Sequence, residues 1–152
     1  MPTEALVHYR YRASVCNILH KPGAHTAEER VVMQDHAQIG ETILGRASKM
    51  VDGMNYLTYG AQIAGGHHEF YDGSGYPRGL KGIEIPLAGR IVAVVDVFDA
   101  LLHRRPYKEP WPFTDTISYI RDRRGTQFDP EVVDALFDIV LDSAYDGMQS
   151  VD

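Results

Sequence analysis

The chain has 152 residues, enough for one domain with a buried core of its own. A hydrophobic share of 44% against 24% charged residues is an ordinary globular balance. Fifteen basic and 21 acidic side chains leave a net charge of −6, which argues against DNA or RNA as a partner and requires a local basic cluster for any anionic ligand.

The N-terminus, MPTEALVHYRYRAS, has no apolar stretch of signal-peptide length, and Cys16 is the one cysteine, so no internal disulfide can form. Lys21-Pro22-Gly23 reads as a turn. Thr26 and Glu29 form a capping-box pattern, which predicts a helix carrying Val31, Val32, His36, Ile39, Ile43 and Leu44 at helical spacing. A second helix is expected from about Val51 to Gly66. Eight of the fourteen glycines then fall between Gly60 and Gly89, which marks a long loop. Pro86 opens a helix from Leu87 to about Leu102 that is apolar nearly all round and is expected to be central. Its aliphatic run, Ile91 to Val95, is too short to span a membrane. Thr114 to Arg124 is amphipathic and ends at Gly125. Asp129-Pro130-Glu131 is a cap followed by a first-turn proline, and predicts a last helix over Val132 to Leu141. No segment alternates well enough for a strand. The expected class is all-α, about five helices around one long loop, in a cytoplasmic protein or a cytoplasmic piece of a larger one.

Several residues carry chemistry. His67 and His68 are adjacent, and neighbouring helix positions do not share a face. As ligands the two imidazoles would reach different ions or sit at a helix end, whereas surface or capping histidines produce the same pattern. Asp96 stands inside an apolar helix, where a carboxylate is costly to bury unless it is paired or binds a metal. Pairing with Arg90 or Arg104, or capping of a loop amide, is the alternative. His36 lies near an apolar stripe, where a lone histidine is more often a core residue. Arg104, Arg105 and Lys108 form a basic cluster suited to phosphate, and equally to the solvated end of a helix. Gly73-Ser-Gly-Tyr-Pro77 allows a ligand close to the backbone, with Tyr76 offering a stacking face.

Taken in order, His67-His68-Glu69, Asp72-Gly-Ser-Gly-Tyr-Pro77, Gly79-Leu80, Ile85-Pro86-Leu87, Arg90-Ile91, Asp96-Val-Phe-Asp99-Ala-Leu101, Arg105-Pro-Tyr-Lys108 and Phe128-Asp129-Pro130 resemble the HD-GYP domain family. Ile18-Leu-His-Lys-Pro-Gly23 and His36-x-x-x-Gly40 fit the same pattern. The resemblance implies an all-α HD-type bundle and a metal-dependent phosphodiesterase of cyclic di-GMP. It implies divalent transition-metal ions, iron or manganese, held by His36, His67, His68 and Asp96. It places Gly75, Tyr76 and Pro77 in the nucleotide-binding loop and Arg105 and Lys108 on the ligand phosphates. Signalling proteins are further expected partners of that loop.

The chain departs from the family near its start. Where the His-Asp pair and a lysine are expected, it has His8-Tyr9 and Arg12, and Cys16-Asn17 replaces a Pro-Asp. A neutral tyrosine cannot offset the repulsion between two cations as a bridging carboxylate does. The expectation is therefore a domain over 17–146, a degenerate remnant at 1–16, and a tail at 147–152. The resemblance further implies that the family's earlier helices are missing, and the expectation is an apolar face that a second copy of the chain covers as a homo-oligomer. Two functions remain open: a phosphodiesterase impaired by loss of the His-Asp pair, or an inactive module that binds cyclic di-GMP or a partner protein.

Overall fold

The structure is a computed structural model, and it describes residues 18, 21, 23–51, 53, 55–104 and 109–149, with side chains as far as 140. Among the described residues there are five α-helices and no strand: α1 Ala27–Ser48, α2 Tyr56–Gly66, α3 Leu87–Leu102, α4 Phe113–Asp122 and α5 Pro130–Gln149. A single 3-10 turn, Gly82–Glu84, interrupts the long loop between α2 and α3. His8, Tyr9, Arg12, Arg105 and Lys108 lie outside the described residues.

Helix starts follow local chemistry. Thr26 Oγ1 accepts the Glu29 amide at 3.2 Å, and Glu29 Oε2 accepts the Thr26 amide at 2.8 Å, so the capping box forms as expected. Lys21 Nζ donates to the same carboxylate oxygen at 2.6 Å. α2 begins later than the expected Val51. Gly53 has φ 76°, a left-handed conformation that cannot continue a helix. Asn55 Oδ1 then caps the new start by accepting the amides of Leu57 and Thr58. At α5, Asp129 Oδ1 accepts the Glu131 amide at 2.8 Å, and the helix runs to Gln149, past the expected end at Leu141.

The helices stack in chain order. Gly40 lets α1 approach α2: a Cβ there would lie 3.1 Å from the Ala64 Cβ. Gly66 and Gly89 let α2 meet α3, since a Cβ on Gly89 would lie 3.0 Å from the Gly66 backbone. On its other side α3 packs against α4 and α5 around Val94, Ile120, Phe128 and Val133. Arg90 of α3 pairs with the buried Asp129 at the cap of α5 and donates to the Ile85 carbonyl at 2.9 Å. α3 is therefore central, but it is not surrounded. Leu87, Ile91 and Val95 are 55%, 42% and 49% exposed. The expected central place is found, while one apolar face stays open because apolar composition shows that a helix can be covered, not what covers it.

Candidate metal centre

His36 stands on α1, one turn before the Gly40 contact that brings α2 close. His67 is the C-cap of α2 and His68 follows it, so the pair sits at a helix end. As the chain leaves the helix, both rings turn to one side, with centroids 3.9 Å apart. One ring nitrogen from each of His36, His67 and His68 lies within 4.8 Å of the other two.

The tautomers follow from the neighbours. His36 Nδ1 donates to the Met33 carbonyl. His67 Nδ1 donates to the carbonyls of Ile63 at 2.9 Å and Ala64 at 3.1 Å. A carbonyl can only accept, so in each neutral ring the proton is on Nδ1 and Nε2 carries a lone pair. These two Nε2 atoms face each other at 3.5 Å. Two lone pairs repel, and a cation between them attracts both. Two ligand nitrogens each about 2.1 Å from one ion in tetrahedral arrangement sit about 3.4 Å apart. Metal-bound histidines also commonly donate their second N–H to a backbone carbonyl, as both do here. The donor set thus fits a transition-metal ion, and imidazole suits several of them.

His68 completes the trio. Its burial, then the neighbouring His67 and His36, lower its pKa from 6.5 to about 4. A neutral imidazole is the form that binds metal. The Tyr76 ring stacks on it, with centroids 4.7 Å apart and planes 29° from parallel. Burial raises the Tyr76 pKa above its usual value and keeps the phenol protonated.

The loop holds Tyr76 there. Its amide donates to the His68 carbonyl at 3.0 Å. At Gly75 the chain passes so close to its own start that a Cβ would lie 2.2 Å from the Phe70 nitrogen. Asp72 Oδ1 accepts both the amide and the hydroxyl of Ser74, and the Tyr76–Pro77 peptide is cis. The amides of Tyr71 and Asp72 donate to the carbonyls of Gln127 and Thr126, tying the loop to the α4–α5 connection.

Asp96 is not in the trio. It is exposed on the open side of α3, which corrects the expectation of a buried carboxylate: the flank of α3 that carries it also carries exposed Val95 and Asp99. Glu69 shows the reverse. A motif residue with no role assigned from sequence, it is fully buried, and its carboxylate accepts the amides of Arg78 at 2.8 Å and Leu80 at 3.0 Å. An acid directly after a histidine pair is a signal of importance, but nothing in the sequence says it serves the loop rather than a metal.

The model of the HD domain family matches residues 12–132. The cyclic di-GMP phosphodiesterase response regulator RpfG of Xanthomonas campestris is 50% identical over 120 residues, 79% of this chain and 30% of that protein. A cyclic di-GMP phosphodiesterase of Thermotoga maritima is 50% identical over 118 residues, 78% of this chain and 31% of the relative. A 3'3'-cGAMP-specific phosphodiesterase of Vibrio cholerae is 41% identical over 122 residues, 80% of this chain and 22% of its own length. The chain thus spans less than a third of these relatives. Among solved structures, a cyclic GMP-AMP specific phosphodiesterase of Vibrio cholerae aligns with a TM-score of 0.51 at 20% identity, covering 86% of this chain and 32% of that one, a likeness of fold. With the trio and the Gly-Tyr-Pro loop in place, the chain belongs to the HD domain family, in its HD-GYP branch.

Proposed function

We propose that this chain is a metal-dependent phosphodiesterase domain that hydrolyses cyclic di-GMP. The observation that carries the reading is the convergence of three imidazoles directly against Tyr76 of the Gly-Ser-Gly-Tyr-Pro loop. The relatives named for hydrolysing cyclic dinucleotides support the substrate class. His36, His67 and His68 would hold the ion, iron or manganese by family resemblance. A bound ion of this kind supplies water activation and offsets charge on the phosphoryl oxygens. The chain's own residues do the rest. Gly75 admits the close backbone approach, Tyr76 shields one face of His68, and Pro77 leads into the Arg78–Leu80 turn held by Glu69. Arg105 and Lys108 are the proposed phosphate contacts. Asp96 is the proposed fourth ligand, tested by whether Asp96→Ala changes metal stoichiometry.

One observation favours a second reading. The described residues assemble three ligands, enough for one ion, and Asp96 stands outside them. A centre of that size suits a module that binds cyclic di-GMP without turning it over. The test is incubation of the chain with cyclic di-GMP and Mn²⁺ or, anaerobically, Fe²⁺. Linear dinucleotide that disappears with His68→Ala is the expected result. Calorimetric binding without product supports the binding module, and neither binding nor product removes both readings.

A further inference from the structure

One side chain of the loop bonds to both α1 and α2. Arg78 Nη1 donates to Glu41 Oε1 of α1 at 2.9 Å, and Nη2 donates to the Gly65 carbonyl of α2 at 3.2 Å. Its Nε lies 4.0 Å from Glu69 Oε1, the same oxygen that accepts its amide. Glu41 lies five residues past His36, and Gly65 two residues before His67. The Glu41 carboxylate is pressed onto Gly65 so closely that a Cβ there would lie 2.5 Å from its carbon.

This packing is electrostatically unfavourable without the guanidinium. A carboxylate seated against the Gly65 backbone, beside a carbonyl oxygen, needs a cation to offset repulsion and lost hydration. The planar fork of arginine reaches both acceptors at once, which a lysine ammonium cannot do from one position. Removing it leaves the Glu41 charge without its cation, with the neutral Gln38 amide at 3.4 Å still bonded to Oε2, and one relief is for α1 to move away from α2. His36 and His67 ride on those helices, and their Nε2 separation of 3.5 Å fits a metal ion.

We propose that Arg78 is a positioning residue for the metal centre: by bridging Glu41, Gly65 and the Glu69-held turn, it sets the spacing of His36 and His67 and ties metal affinity to the order of the loop. The inference rests on the metal site proposed above. Groups that hydrogen-bond a metal ligand directly commonly change metal affinity by about 10- to 100-fold when removed; Arg78 braces the helices that carry the ligands, and is expected at the lower end, about 10-fold.

The test is Co²⁺ titration of the full chain, read by calorimetry and by the visible spectrum of the bound ion, with thermal unfolding of the metal-free protein beside it. Arg78→Ala is expected to weaken Co²⁺ by about 10-fold and to alter the spectrum. Arg78→Lys, which can satisfy one acceptor but not two, is expected to fall between parent and alanine. Glu41→Gln keeps the shape and removes the charge, is expected to weaken binding as well, and carries the test alone if Arg78→Ala does not fold. Arg124→Ala, which breaks the pair with Asp134, serves as the control and is expected to leave Co²⁺ binding unchanged. A fall in unfolding temperature with unchanged affinity and spectrum in the Arg78 and Glu41 variants would overturn the positioning role while leaving the metal site standing. Failure of the parent to bind Co²⁺ would overturn the metal site itself, and this proposal with it.

Discussion

Gly75 and His68 show how much of the centre depends on single atoms. At Gly75 the conflict for a larger residue is with backbone, 2.2 Å from the Phe70 nitrogen and 2.6 Å from the Glu69 carbon, so no side-chain rotation can relieve it. Gly75→Ala is therefore expected to destabilise the chain by about 1–3 kcal/mol, the usual cost of overpacking, as measured by denaturant unfolding. It should also pull Tyr76 off His68. The second expectation concerns protons. His68 has its pKa lowered to about 4 in the folded, metal-free chain, against 6.5 as the ordinary value. The unfolded chain thus takes up a proton near pH 6.5 that the folded chain refuses until about pH 4. Stability owed to this group is unaffected above pH 6.5 and is lost as the pH falls from there towards 4. Unfolding midpoints of the metal-free chain at several pH values should show that slope, and His68→Phe should flatten it. An equal slope in both proteins would show that His68 is not the group responsible.

At the scale of elements, legibility tracked how local the cause is. The α1 start, the opening of α3 after Pro86 and the Asp129 cap of α5 were all legible, because each cap lies within three residues of the amides it satisfies or the turn it begins. The start of α2 was not, since a hydrophobic pattern beginning at Val51 outweighed the turn that Gly53 imposes. The histidines of the trio were legible through their order in the family pattern. The pairing that braces them was not: Glu41 and Arg78 are 37 positions apart, and neither stands out in its own neighbourhood. The exposure of Asp96 was not legible for a related reason. The residues around it mark a helix that can be buried, and the face on which it lies depends on packing partners that α3 does not encode.

For the whole molecule, the three clustered histidines lie between positions 36 and 68, on α1 and at the end of α2, while α4 and α5 pack on the far side of α3. The ion would therefore be captured by one helical hairpin, early in the chain, whose ligands His36 and His67 are 31 residues apart. Binding stabilises only those states in which that hairpin is closed. Partial opening of α5 would leave the trio assembled, so an ion once taken up would be retained through excursions that disrupt the hydrophobic cluster around Phe128. Amide hydrogen exchange with and without Mn²⁺ should show slower exchange in α1 and α2 and little change in α5. Equal slowing across all helices would instead mean that metal release requires global unfolding. In a cell where free transition metal is scarce, such a hairpin would make acquisition of the ion a step in the chain's maturation, and parting of α1 from α2, rather than unfolding of the whole chain, the route by which the ion returns to the pool.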